Sequence, residues 1–180
     1  MAGPYRSDDH PRTASGLSQV NGTSDPAGAD SARWHATSRA AREAAPTSAS
    51  EARVRIDSDR AIVEARRQGR RLAAAAGLKA TDLTIVVTAI AELARNALLF
   101  ANGGEIAVGI IRHGARHGVV VIASDSGPGI ADVPQALQDG YSTTGRLGLG
   151  LPGVKRLMDE FEISSVPGAG TTVIARKWKR

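Results

Sequence analysis

The stretch SDSGPGIADVPQALQDGYSTTGRLGLGLPG, residues 124–153, carries glycine at 127, 129, 140, 145, 148, 150 and 153, with one carboxylate, Asp125, at its entrance. Glycine is used where backbone turns through positive φ or lies close against a ligand. So many glycines at irregular spacing, just ahead of a helical pattern, describe a loop wrapped around something rather than a linker.

Upstream the hydrophobic period is two. GEIAVGIIR (104–112) and HGVVVIAS (117–124) read as strands joined through Gly114–Gly118, a hairpin that ends directly at Asp125. Downstream, Leu149–Glu160 has helical spacing, and FEISSV (161–166) and TTVIARKW (171–178) read as two more strands turned by PGAG (167–170). Further back, ARVRID (52–57) alternates as a strand, and Ser58 or Asp59 caps a helix that Gly77 ends. Thr81 or Asp82 is expected to cap the next helix, TDLTIVVTAIAELARNALLFA, running to about Ala101. It is apolar on nearly every side, which predicts a central, buried helix. Glu92 and Asn96 sit on it four residues apart, hence on one face.

The order strand, two helices, strand pair, loop, helix, strand pair predicts an α+β two-layer sandwich. Its sheet would be mixed and mostly antiparallel, of about five strands, with helices on one face. There is no alternating βαβ series, which disfavours a Rossmann-type sheet.

Residues 1–50 are rich in Ala, Ser, Thr, Pro, Gly and Asp, with Leu17 and Val20 the only branched aliphatics and Tyr5 and Trp34 the only aromatics. Such a segment buries too little apolar area to offset its ordering entropy, so a disordered tail is expected ahead of a domain at 51–180. Residues 32–44 (ARWHATSRAAREA) have the composition of a transient helix, and Trp34 reads as a stray aromatic in a solvated tail.

The formal charge of +5 falls entirely on residues 51–180, because five Arg and five Asp/Glu cancel in the first 50. Arg66, Arg67, Arg70 and Arg71 read as a solvated helix face, and without interleaved aromatics or a known motif they do not indicate nucleic-acid binding. His113 and His117 flank the hairpin turn without an evident third metal ligand. The chain has no cysteine, no apolar run near the roughly 20 residues of a membrane span, and no signal-peptide core at its start. A soluble, cytoplasmic protein without nucleic-acid or membrane partners is expected.

Three pieces converge if the helices cover the sheet: Glu92 with Asn96, Asp125-Ser-Gly127-Pro-Gly129, and Gly148-Leu-Gly150-Leu-Pro-Gly153 opening a helix. A glycine-preceded helix N-terminus suits phosphate. No Walker G-x-x-x-x-G-K-[ST] is present, so a metal ion rather than a lysine is expected to neutralise phosphates. The Asn96 amide oxygen is a suitable hard ligand for Mg²⁺. Asp125 suits an exocyclic amine of the kind adenine carries, and Glu92 suits a proton from an attacking hydroxyl. Singly, each piece has a plainer reading: a D-x-G-x-G turn, a common G-x-G before a helix, a hydrogen-bonded Glu–Asn core pair.

Together and in this order, E-L-A-R-N (92–96), D-S-G-P-G-I (125–130), G-L-G-L (148–151) and G-x-G-T-T (168–172) resemble the N, G1 and G2 boxes and late threonine of the GHKL ATPase/kinase superfamily, the Bergerat fold. The run 139–178 is similar to the RsbT-type serine/threonine switch kinases of the bacterial stressosome. The resemblance implies an ATP- and Mg²⁺-dependent kinase. Its implied substrates are STAS-domain proteins and its implied target a PP2C-type phosphatase. Direct binding of a sigma factor, or a nucleotide-gated binding switch with vestigial catalysis, are the alternatives. By position it implies Asn96 as the Mg²⁺ ligand and Glu92 as catalytic base. Asp125 would take the adenine amine, Gly127, Gly129 and Ile130 would shape its pocket with Thr171 nearby, and Gly148, Leu149, Gly150 and Leu151 would hold the phosphates. Ala131–Leu147 would form a short lid, and Arg146 and Lys155 would either touch phosphate or an acidic partner or be ordinary surface charges.

Overall fold

The computed structural model describes residues 51–138 and 150–180. The elements run β1 (Glu51–Ile56), α1 (Asp59–Ala75), α2 (Ala80–Ala101), β2 (Gly104–His113), β3 (Arg116–Asp125), α3 (Val133–Ala136), α4 (Gly150–Leu157), β4 (Glu160–Val166) and β5 (Gly170–Trp178). The five strands form one sheet in the order β1-β2-β3-β5-β4. Every neighbouring pair is antiparallel, so the sheet is antiparallel throughout rather than mixed. The expected disordered tail at 1–50 lies outside the described residues.

Alternation in the strands divides the sheet faces. Ile106 and Val108 of β2, Val119, Val121 and Ala123 of β3, and Val173 and Ala175 of β5 join α1, α2 and α4 in the main core. α1 begins where sequence placed it, because the Ser58 hydroxyl accepts the Ala61 amide at 3.3 Å. It crosses α2 closely at Gly69, where a Cβ would lie 2.1 Å from Ile90 Cδ1. A methyl there would make the end of the Ile90 side chain turn aside.

Three expectations need correction. The N-cap of α2 is Lys79, without a side-chain cap bond, and not Thr81 or Asp82. Asp82 is instead buried, 3.8 Å from the ammonium of buried Lys177. Second, α2 is central but covered on one side only. Val86, Ala89, Ile90, Leu93, Ala94 and Ala97 are buried, whereas Leu99 and Phe100 are 49% and 47% exposed. A two-layer sandwich leaves the outer side of its helices uncovered. By length and composition this 22-residue helix is apolar enough to cross a membrane, contrary to the reading of the sequence, but here it lies on the sheet between α1 and α4. Third, the last helix stops at Leu157, and Glu160 already belongs to β4.

The opposite face of the sheet carries a second apolar cluster: Ala107, Val120, Ile122 and Ile174, with Ile111 against it. All five come from strands.

Candidate active site

The loop after β3 is fastened at both ends by Asp125. Its Oδ1 accepts the Gly127 amide at 2.9 Å and, across the sheet, the Thr171 amide at 3.2 Å. Among the described residues its Oδ2 has no hydrogen bond, so one carboxylate oxygen builds the loop and the other is left to accept from outside. The loop lies tight on the end of α2. A Cβ on Gly127 would stand 2.4 Å from Ala101 Cβ and 2.7 Å from Ala101 Cα. Gly129 has φ +70°, and a side chain there would meet the Val166 carbonyl at 2.2 Å.

A second set of bonds ties the loop to the β4–β5 hairpin. The Ile130 amide donates to the Ser165 hydroxyl at 2.8 Å, and that hydroxyl lies 2.8 Å from the Thr171 hydroxyl and 3.1 Å from the Gly170 carbonyl. The Gly168 amide donates to the Pro128 carbonyl at 2.8 Å. Asp125, Gly127, Gly129, Ile130 and Thr171 are thereby gathered at one end of the sheet, beside the C-terminal turns of α2. Ser165, a residue the sequence reading passed over, is the hub of that network. Its signal was its place on the inward-facing register of FEISSV with Phe161 and Ile163.

On α2, Glu92 is 14% exposed at its side chain and held twice. Its Oε1 pairs with Arg95 Nη1 at 3.2 Å, and its Oε2 accepts the Gly150 amide at 3.3 Å. Glu92 therefore touches the first residue of α4, the helix whose N-terminus was assigned to phosphate. Gly150 sits at φ +54°, and Leu151 packs partly buried into the main core. The Asn96 side chain, half-buried one turn further along α2, makes no hydrogen bond among the described residues. Gly148, Leu149 and Arg146 lie outside the described residues, and Lys155 is exposed on α4. Of the expected lid, residues 131–138 are described, and they include the short helix α3 capped by Asp132 through the Gln135 amide at 2.8 Å. Among the described residues no group of three or more His, Cys, Asp or Glu side chains could hold a metal.

Sequence reasoning also passed over the polar cluster at the far end of β5. Lys177 is 2% exposed and donates to Asp159 Oδ1 at 2.9 Å and to the Leu157 carbonyl at 3.1 Å. Asp159 Oδ2 accepts the Trp178 amide at 2.8 Å. Burial alone would raise the Asp159 carboxyl. The Trp178 amide, the Lys177 ammonium and the Arg180 guanidinium together outweigh it and hold the group below its ordinary range.

A five-stranded antiparallel sheet with three helices on one face, a carboxylate-anchored glycine loop and an acid–amide pair on the central helix define a histidine kinase-like ATPase domain. The model of that family matches residues 55–177, and the chain belongs to it. Within the superfamily it belongs with the RsbT-type kinases. It is 48% identical over 127 residues to the serine/threonine-protein kinase RsbT of Bacillus subtilis, covering 71% of this chain and 96% of that protein. It is 33% identical over 101 residues to an anti-sigma F factor of Caldanaerobacter subterraneus, covering 54% of this chain and 71% of the relative. A solved structure of the RsbU and RsbW domains of a Mycobacterium tuberculosis protein superposes with a TM-score of 0.47 at 22% identity, covering 72% of this chain and 33% of that one.

Proposed function

We propose that this chain is an ATP-dependent protein-serine/threonine kinase that acts as a partner switch. The observation that carries the reading is the contact between Glu92 on α2 and the Gly150 amide, which sets an acid beside a helix N-terminus suited to phosphate. ATP enters with its adenine amine on the free oxygen of Asp125. The pocket is shaped by Gly127, Gly129 and Ile130, with Thr171 fixing the Asp125 carboxylate through its backbone amide. The triphosphate runs toward Gly148, Leu149, Gly150 and Leu151, where the positive end of α4 meets negative charge.

The donor set fits Mg²⁺, which takes oxygen ligands and retains phosphate oxygens and waters. Asn96, with an amide otherwise unengaged among the described residues, would hold it. The bound ion would offset phosphate charge that no P-loop lysine is present to meet. Glu92 then orients the acceptor hydroxyl of the protein substrate and takes its proton. The hydroxyl oxygen bonds to the γ-phosphorus as the bond to the β-phosphate oxygen breaks, and ADP leaves. Arg95 holds the carboxylate in place.

The substrates we propose are STAS-domain proteins, with a PP2C-type phosphatase as the target activated after release, in stress-response signalling in the cytoplasm. The match to anti-sigma F factors favours one second reading, a kinase that binds a sigma factor directly. Incubation with labelled ATP and a cognate STAS protein tests the proposal. Label on serine or threonine of that protein supports it. Co-purification of a sigma factor without such transfer would move the assignment to the second reading.

A further inference from the structure

Helix α1 carries five arginines, at 60, 66, 67, 70 and 71, and no lysine. None stands where it would stabilise the helix. Arg60 is in the first turn, where the positive end of the helix dipole disfavours a cation, and the last turn, where a cation is favoured, holds none. Arg66 with Arg70, and Arg67 with Arg71, are like charges four residues apart, which oppose helix formation. One acid meets the five: Glu64 holds Arg67 through bonds of 2.8 and 2.9 Å. Arg71 donates to the Gln68 side chain at 3.0 Å. Among the described residues Arg60, Arg66 and Arg70 have no ion pair. Arg60, Val63, Arg67, Arg70 and Ala74 succeed one another at steps of three and four, all exposed, on the side opposite the buried Ala65, Gly69 and Leu72. Val63 is 60% exposed among them.

We propose that this face docks the acidic surface of a partner protein, and that the partner is the phosphatase, which the chain holds without phosphorylating; the second half rests on the partner-switch reading above. Charge complementarity carries the first half. Guanidinium forks in surplus call for carboxylates, which they meet bidentately. Exposed Val63 selects a protein over a polyanion, because a phosphate backbone offers it no apolar contact, and no aromatic is interleaved to stack on bases. Residues 1–50, with five Arg and five Asp/Glu, have no acidic surplus to serve as the counterpart. Position carries the second half. α2 lies between α1 and α4, and Glu92 meets Gly150 on the α4 side. A protein on the outer face of α1 keeps clear of that carboxylate, as a partner bound without being phosphorylated must.

Arg70→Glu in the full chain tests this. It replaces like-charge neighbours by opposite charges four residues from Arg66 and three from Arg67, so the helix keeps its stability or gains some. Titrated with the cognate PP2C-type phosphatase, the variant should show a Kd about tenfold weaker or more, while its melting temperature is not lowered and transfer of labelled phosphate to the STAS protein is unchanged. The wild-type Kd should weaken as salt is added. Arg60→Glu, on the same face, should give the same result and serves if Arg70→Glu does not fold. A phosphatase Kd within twofold of wild type in both variants overturns the proposal. Loss of STAS transfer along with phosphatase binding overturns it too, because the face then holds the phosphoacceptor. So does wild-type binding of duplex DNA that Arg70→Glu abolishes, which would make the face a polyanion site. A wild-type chain that neither binds the phosphatase nor transfers phosphate removes the partner-switch reading itself, and the proposal with it.

Discussion

Gly127→Ala tests whether the loop after β3 is a nucleotide pocket built by close approach to α2. The added methyl would stand 2.4 Å from Ala101 Cβ, 2.7 Å from Ala101 Cα and 3.1 Å from Asp125 Oδ1. Relief to ordinary contact demands a shift of about 1 Å, and the opposing Cα belongs to the backbone of α2, so the loop must yield. That shift breaks the 2.9 Å bond from the Gly127 amide to Asp125 and swings the carboxylate off the adenine position. Overpacking of this kind destabilises by about 1–3 kcal/mol. Loss of one charge-assisted bond in the site weakens nucleotide binding by about 1.5–3 kcal/mol, or roughly 10- to 150-fold in Kd. Calorimetric titration with ATP and a thermal melt read both effects. Combining Gly127→Ala with Ala101→Gly removes the 2.4 Å contact but leaves the one at 2.7 Å, so the double variant should recover part of the affinity. ATP affinity within twofold of wild type in the single variant would refute the placement of the adenine end.

Replacing Lys177 with Met leaves Asp159 and Asp82 facing each other without their shared cation, and should cost about 3–5 kcal/mol by denaturant unfolding, with ATP affinity unchanged in the folded fraction. Because the folded Asp159 carboxyl lies below its ordinary range, its contribution is present above the unfolded value of about 4 and is lost as pH falls through the folded value. Acid unfolding followed below about pH 4 should therefore shift to a shallower dependence in Asp159→Asn, and an unchanged curve would contradict that assignment. Ser165→Ala removes the acceptor of the Ile130 amide and the partner of Thr171, and should lower stability by about 1 kcal/mol while weakening ATP several-fold.

Most of the architecture was legible because strand periodicity and turn chemistry agree locally with the fold. Val119, Val121 and Ala123 alternate with Val120 and Ile122, and the two sets do separate onto opposite faces. The order of strands was not legible, since nothing local to β5 says that it inserts between β3 and β4. The helix start at Lys79 was missed because Asp82, a good capping residue by type, is drawn into the core by Lys177. Lys177 itself was visible as a charge at an inward position of TTVIARKW, a pattern that calls for a buried partner. The site was legible as ordered motifs. The contacts joining them were not, because the separation of 58 positions from Glu92 to Gly150 is closed only by tertiary packing of α4 on α2.

Glu92→Gln is the most direct measurement of the central claim. The substitution keeps the shape of the side chain and an oxygen able to accept the Gly150 amide, and removes the base. Transfer of labelled γ-phosphate to a cognate STAS protein should fall by about 10²- to 10⁴-fold while ATP affinity stays within about threefold of wild type. Transfer at the wild-type rate by Glu92→Gln would contradict the account.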